Sequence, residues 1–421
     1  MIRSVDCLVV GAGPAGLATS AALLQRGIDH AVCERGRAGQ TWRTQRWDSL
    51  RLNNPGWMNP MLGEQPRDTY LSAGEVVDRL AHLASAAPVH EQTPVDLVVR
   101  RGDAWSVRTA DAELHTRAVV VASGGENVPL IPRLARLVPD RVAQCHAASY
   151  RAPDQLPEGA VLVVGSAQTG YQISEELIRA GRRVYLATSP VGRIPAWHRG
   201  RDTLEWLFEY GFFDQRPEDL VDRSVIHSPQ PLLTPGARGA SLQTLAQSGA
   251  TLLGRLVDVE GDRMTFASDL ARTVAAADAY AARIRAVLDE AIARTGRSAP
   301  PMEPDEADAQ VHLDPPTQLQ LREYDITSVL WCTGYTGAFS WLDATLTDHA
   351  GRPRHHGTTA PVPGLWYVGS RWLTRRSSGN FIGFPADAAS VADAVAATLR
   401  SSRRRRGTEH HRHPTAHPVL A

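Results

Sequence analysis

Two glycine-rich turns stand where a nucleotide pyrophosphate can be held. The first reads GAGPAG at residues 11–16, after the apolar run DCLVV and before LATSAALLQRG. A short strand, a glycine turn and a helix follow one another there. Gly11 permits the tight turn, Gly13 lets a pyrophosphate approach the backbone, and Gly16 lets helix and strand pack closely, with Pro14 and Ala15 opening the helix. The helix N-terminus then turns its partial positive charge toward the phosphates. A second apolar run, His30–Cys33, ends at Glu34. A carboxylate there accepts hydrogen bonds from ribose hydroxyls and repels a 2′-phosphate.

The motif recurs at 160–170. AVLVV leads into GSAQTG, in which Gly165, Ser166, Gln168, Thr169 and Gly170 form the turn, followed by a helical run and the strand-like RRVYLATS. Alanine replaces the middle glycine at 167. In the place of Glu34, eighteen residues past the last glycine, stands Thr188, followed by Ser189 and then Arg193. A site without a carboxylate and with a guanidinium nearby suits a 2′-phosphate, and Arg199 and Arg201 are weaker candidates for the same role. The first copy is therefore expected to bind FAD and the second NADPH.

Composition narrows the chemistry further. All 45 basic residues of the 421 are arginine, so no lysine is available for a Schiff base or for a P-loop phosphate site. The 45 acidic residues bring the formal charge to zero, with residues 401–421 at +4 and the body at −4; a near-neutral body gives no footprint for nucleic acid. Cys7, Cys33, Cys145 and Cys332 form no C-x-x-C pair, so neither a disulfide framework nor a metal site is expected, and a reducing, cytoplasmic setting fits. No apolar stretch approaches the roughly 20 residues of a membrane helix, and no signal peptide precedes the first strand.

The order of elements implies an α/β fold of two Rossmann-like domains, the second inserted into the first. Arg117–Gly124 and Thr327–Tyr335 each run an apolar strand into a small-residue glycine turn and are expected to return to the first sheet. Leu365–Gly369 leads into a helix-prone segment, Pro385–Leu399. The FAD domain is expected over 1–153 and 326–400. The NADPH domain spans 154–325, with a long alanine-rich helix over Asp269–Thr295, and residues 401–421 form a disordered, basic, histidine-rich tail.

These residues resemble the two-dinucleotide (class B) flavin-dependent monooxygenases: flavin-containing monooxygenases, indole-pyruvate monooxygenases and Baeyer–Villiger enzymes. GAGPAG, Glu34, GQTWR at 39–43, ASG at 122–124, His146 with Tyr150, GSAQTG and CTGY at 332–335 carry the likeness, and RWDSLRL at 46–52 resembles bacterial members. The family's linker signature begins with phenylalanine and glycine, where this chain has Asp140 and Val142; its tyrosine ending is closer to N- and S-oxygenating members than to Baeyer–Villiger ones.

The resemblance places cofactor contacts at Arg35, Gln40, Thr41, Trp42, Arg43, Val95, Ser123, Gly124, Thr333, Gly334 and Tyr335. It sets Asn53 beside the reactive edge of the flavin, against the plain alternative of a turn residue before Pro55, and makes His146 a positioning group. Trp57, Met58 and Trp372 are candidates for the substrate wall, with core packing as the alternative for the tryptophans. The implied reaction uses NADPH to reduce FAD and then molecular oxygen, through a peroxyflavin, to oxygenate nitrogen, sulfur or carbon of a small organic substrate in a monomer or homodimer. Baeyer–Villiger oxygenation, an NADPH oxidase or flavin reductase without oxygen insertion, and a non-catalytic flavoprotein are the alternatives. No metal, nucleic acid or membrane partner is expected.

Overall fold

A computed structural model describes residues 4–235 and 239–410. The chain forms two compact units, one of Met1–Gln40, Leu80–Gly125 and Gly337–Ala421, the other of Thr41–Arg79 and Glu126–Thr336.

In the first unit five parallel strands lie in the order Leu365–Tyr367, Ala118–Val121, Cys7–Val10, His30–Cys33, Val89–His90. Every residue of Cys7–Val10 and Ala118–Val121 is buried, as a sheet covered on both faces requires, which is why these strands read as unbroken apolar runs. The helix Pro14–Gln25 packs against the helix Phe384–His410. A smaller antiparallel sheet, Val95–Arg101, Ala104–Thr109 and Glu113–Thr116, packs its apolar face around the buried Trp105.

The second unit repeats the plan: parallel strands in the order Thr251–Leu253, Val184–Ala187, Ala160–Val164, Ile326–Trp331, Ala143–His146. The long helix appears over Leu270–Arg294, burying Val274, Ala277, Ala281, Ile284, Leu288 and Ala291 at a spacing of three to four residues.

Two expectations are corrected here. The segment Thr327–Tyr335 returns to the second sheet, not the first, since Ile326–Trp331 pairs with Ala160–Val164 on one side and Ala143–His146 on the other. An apolar run ending in a small residue and glycine fits either sheet; tertiary pairing decides between them. The contact division accordingly places 126–336 in the second unit and resumes the first at Gly337. The C-terminal helix continues to His410, ten residues beyond the expected end of order. Alanine and arginine both favour helix, and S-S-R-R-R-R holds no breaker; residues 411–421 lie outside the described residues. Among the described residues, no helix is long and apolar enough to cross a membrane.

Candidate active site

The first glycine turn divides its glycines by purpose. Gly11 has φ +106°, and a Cβ there would stand 2.7 Å from the Ala122 carbonyl oxygen; a Cβ on Gly16 would stand 1.8 Å from the Gly11 oxygen. Both glycines are demanded by the fold. Gly13 is different: its backbone is ordinary extended chain (φ −77°, ψ −174°), and a Cβ would meet nothing within 4 Å. Its space is left for a ligand, which is the cradle a dinucleotide pyrophosphate needs.

Around that cradle, Gly369 approaches so closely that a Cβ would lie 2.6 Å from Ala15 Cβ, and Gly124 (φ +79°) carries open space above it. Glu34 is buried and accepts from the Ala12 amide at 2.8 Å through Oε2 and from the Gly36 amide at 2.9 Å through Oε1. It braces the turn, and each oxygen keeps a lone pair for a ribose hydroxyl. Gly39 donates to the Ala12 carbonyl at 3.0 Å, bringing the Arg35–Gln40 loop to the turn, with Gln40 Oε1 accepting from the Arg37 amide at 2.9 Å. Ser123 follows the central strand into the Gly124 turn, Arg35 is exposed, and Val95 packs its side chain on the core.

The second turn is a geometric copy. A Cβ on Gly165 (φ +106°) would lie 2.5 Å from the Cys332 oxygen, and one on Gly170 would lie 1.8 Å from the Gly165 oxygen. Cys332, opening the CTGY segment with Thr333, Gly334 and Tyr335, thus plays beside this turn the part of Ala122 beside the first. Ala167 has φ −71° and ψ −175°, nearly the conformation of Gly13, so alanine is accommodated without strain and only narrows the approach. Ser166 and Ser189 tie turn to strand end: the Ser189 amide donates to Ser166 Oγ at 3.0 Å and Ser166 Oγ to the Ser189 carbonyl at 3.1 Å. Gln168 clamps Leu233 through both its amide atoms. The Thr169 hydroxyl, in the first turn of Gln168–Arg179, makes no hydrogen bond among the described residues.

Thr188 is buried and donates to the Leu253 carbonyl at 2.7 Å. Arg193 departs from its expected role. Only 1% exposed, it donates through Nε to Asp278 at 2.9 Å and through a terminal nitrogen to Asp308. Arg199 is held by Asp289, and Arg201 by Glu205 and Glu209. These three arginines therefore face carboxylates of their own chain; position along the chain does not reveal which charges packing has already matched.

Asn53 is singled out by its neighbours. In the N-N-P turn, Asn54 Nδ2 donates to Asn59 Oδ1 at 2.5 Å and Asn59 Nδ2 to the Pro55 carbonyl at 3.1 Å, while the half-buried Asn53 amide makes no hydrogen bond among the described residues. Asn54 and Asn59 serve the turn, and Asn53 takes no part in their hydrogen bonds. His146 accepts from the Ala148 amide through Nδ1 at 3.1 Å, so its proton sits on Nε2, which donates to the Gly334 carbonyl at 3.1 Å. Burial pushes its pKa down. Both ring nitrogens are committed to backbone, which ties His146 to the CTGY turn. The buried Tyr150 donates its hydroxyl to the half-buried Glu176 at 2.8 Å.

Met58 is buried; Trp57 is half-buried, with its ring edge-on to Phe208 at 5.2 Å and Arg67 over its face. In the first unit, Trp372 is 7% exposed at φ +57° with Arg376 stacked on its ring, a conformation costly for a bulky residue and one that marks ligand clamps. Thr41, Trp42 and Arg43 lie in the short helix Gln40–Thr44. Sequence reasoning passed over Arg46, whose guanidinium lies 4.9 Å from the Trp42 ring centre; a charged residue set between Trp42 and Trp47 was the available signal. All four cysteines are free, and burial raises their thiols, Cys33 to about 12 and Cys145 to about 11, so none is poised for thiol redox chemistry.

The profile of the pyridine nucleotide-disulphide oxidoreductase family matches residues 8–194. An uncharacterized oxidoreductase CzcO-like of Geobacillus kaustophilus is 28% identical over 397 residues, covering 92% of this chain and 97% of that one. The rice indole-3-pyruvate monooxygenase YUCCA1 is 31% identical over 241 residues, 52% of this chain and 56% of the other. In fold, the chain is similar to the flavin-containing monooxygenase from Stenotrophomonas maltophilia, with a TM-score of 0.63 at 20% identity, covering 94% of this chain and 100% of that one. With its paired glycine turns, each set on its own parallel sheet, the chain is similar in sequence to these oxidoreductases and in fold to the flavin-containing monooxygenase.

Proposed function

We propose that this FAD- and NADPH-dependent monooxygenase inserts one atom of molecular oxygen into a nitrogen, sulfur or electron-rich carbon centre of a small organic substrate, as a cytoplasmic monomer or homodimer. FAD and NADPH, when bound, supply the electrons and the oxygen chemistry. The chain binds and orients. Gly13 and the Pro14–Gln25 helix hold one pyrophosphate; Ala167, Thr169 and the Gln168–Arg179 helix hold the other.

The observation that carries the reading is the uncommitted amide of Asn53 in a turn that Asn54 and Asn59 already satisfy. An amide donates a hydrogen bond to a reacting oxygen and holds no titratable proton, so it stabilises without acting as an acid. His146, the histidine of the motif, has no nitrogen to spare for acid–base work. The Tyr150 hydroxyl, at the end of the motif that leaned toward N- and S-oxygenation, is spent on Glu176, so that residue lends the preference for soft centres over carbonyls no geometric support.

The test mixes flavin-loaded protein with NADPH without oxygen, then admits oxygen in the presence of trimethylamine, methyl phenyl sulfide, indole or phenylacetone. Bleaching of the flavin by NADPH, and NADPH consumption that exceeds hydrogen peroxide release with an amine, sulfide or indole, are expected. Peroxide equal to NADPH with every compound sinks oxygen insertion, and a ketone as the only productive substrate sinks the preference for soft centres.

A further inference from the structure

The two glycine turns share a backbone conformation but not a brace. In the first, the acid that follows the second strand stiffens the turn: Glu34 accepts from the Ala12 amide at 2.8 Å and from the Gly36 amide at 2.9 Å. The helix there begins with Pro14, whose side chain neither donates nor accepts. In the second turn the acid is gone. Thr188 stands in its place and donates to the Leu253 carbonyl at 2.7 Å. A carboxylate at that position would repel the 2′-phosphate of NADPH, so this turn has to be braced by neutral groups.

Two side chains of the turn itself supply that brace. Ser166 is fully buried and exchanges two hydrogen bonds with the backbone of Ser189. Gln168, the first residue of the helix Gln168–Arg179, reaches a residue 65 positions along the chain: its Oε1 accepts from the Leu233 amide at 3.0 Å, and its Nε2 donates to the Leu233 carbonyl. Two bonds to one residue fix the plane of the Gln168 amide as a single bond would not. The far end is fixed as well. Leu232 is fully buried, its amide donates to the Gly192 carbonyl at 2.8 Å, and its carbonyl accepts from the Ile194 amide at 3.1 Å. At the near end the first helical bond is the one Tyr171 makes to the Ala167 carbonyl at 3.0 Å, so the N–H groups of residues 168–170 have no partner within the helix.

We propose that Gln168 is a positioning residue for NADPH: by tying the head of the helix to Leu233, it holds the N–H groups of residues 168–170 where the pyrophosphate oxygens bind. The side chain acts through this clamp on backbone, not as the direct coenzyme contact that its place in the motif suggests. Donors already fixed in place lose little freedom when the anion arrives, and affinity rises accordingly. The Glu34 brace and the Gln168 clamp thus answer the same need, and the neutral one leaves room for a 2′-phosphate. This role rests on the coenzyme reading of the second turn and on no particular fate of the electrons.

The test is binding rather than turnover. Flavin-loaded protein is titrated by calorimetry with NADP⁺, which carries the pyrophosphate, and with 2′-AMP, which carries adenine and the 2′-phosphate without it. Gln168→Met and Gln168→Ala remove the clamp and keep a good helix former at the position, and flavin content and melting temperature show that each is folded. If Gln168→Ala loses its flavin, Gln168→Met, which keeps the length of the side chain, decides. The loss of two hydrogen bonds that order the turn is expected to weaken NADP⁺ binding by about tenfold and to leave 2′-AMP within about twofold of wild type. Hydrogen exchange at the Leu233 amide, which Gln168 Oε1 protects, is expected to quicken in the same variants. Unchanged NADP⁺ affinity in a folded variant overturns the proposal. An equal loss for both probes also overturns it, because that marks a general loosening of the unit. A wild type that binds neither probe removes the coenzyme reading of the turn, and the clamp's role with it, a failure distinct from that of the variants.

Discussion

Replacing Arg193 by methionine separates a structural arginine from a coenzyme-reading one. The guanidinium is 1% exposed and spans Asp278 and Asp308, whose side chains are 35% and 40% exposed. Removing one partner of a fully buried pair costs about 3–5 kcal/mol, and an exposed pair about 0–1 kcal/mol. Here the abandoned carboxylates can hydrate, and each keeps a neighbour: Gln243 donates to Asp278 at 2.9 Å and Arg285 to Asp308 at 3.0 Å. Methionine also fills the apolar track of the arginine stem. The cost is therefore placed at about 2 kcal/mol. For a unit of about 250 residues, that lowers the melting temperature by about 4 °C.

Acid supplies a second check on the same variant. Burial works to raise the Asp308 carboxyl, but Arg193 and Arg285 hold it below its ordinary value. A depressed acid stabilises above its unfolded pKa of about 3.9 and loses that contribution as pH falls through the folded value. The gap between wild type and variant should therefore narrow below about pH 4. The assay is thermal unfolding at several pH values together with NADPH- and NADH-driven flavin reduction. A guanidinium reading the 2′-phosphate would be worth about 1.5–3 kcal/mol, roughly a 10- to 100-fold rise in the NADPH requirement with NADH unchanged. The structure predicts less than about a twofold change in that ratio. An unchanged melting temperature with a tenfold loss of NADPH preference would refute the reasoning.

Other expectations follow from the same geometry. Asn53→Ala should leave stability within about 0.5 kcal/mol, because no hydrogen bond is lost, yet divert NADPH electrons to hydrogen peroxide; Asn54→Ala should do the reverse, costing about 1 kcal/mol in a denaturant titration with coupling intact. Gly13→Ala should fold normally and weaken flavin retention, whereas Gly16→Ala, with its Cβ 1.8 Å from the Gly11 oxygen, should fail to give folded protein, as circular dichroism and flavin content will show. His146 is held neutral, so the unfolded state binds the extra proton as pH falls below about 6.5 and the native state loses stability. The stability difference between wild type and His146→Gln should shrink through that range, and a gap that grows on acidification would mean that His146 is charged in the fold.

Much of the frame is legible in the sequence. Both glycine turns, the strands that feed them, the Leu270–Arg294 helix and the likeness between the copies follow from short-range pattern: apolar runs of four or five, glycine at fixed offsets and three-to-four periodicity. What escaped depends on pairing between distant segments. Thr327–Tyr335 was referred to the wrong sheet because its edge partners, Ala160–Val164 and Ala143–His146, are not encoded in its own residues. Arg193 looked like a phosphate ligand because Asp278 and Asp308 lie 85 and 115 residues away. Asn53 gained in definition, since only the hydrogen bonds of Asn54 and Asn59 show which of two adjacent asparagines the turn consumes. Ala167 shares the backbone conformation of Gly13, a likeness that a single sequence does not display.

In the proposed function the two turns hold FAD and NADPH for the transfer of oxygen to a small organic molecule. Turnover under isotopically labelled dioxygen, with products analysed by mass spectrometry, tests it most directly. NADPH-dependent product carrying one labelled oxygen atom, absent when FAD is omitted, is expected. Rapid NADPH consumption with all label recovered in hydrogen peroxide and water, across amines, sulfides, indoles and ketones, would contradict it.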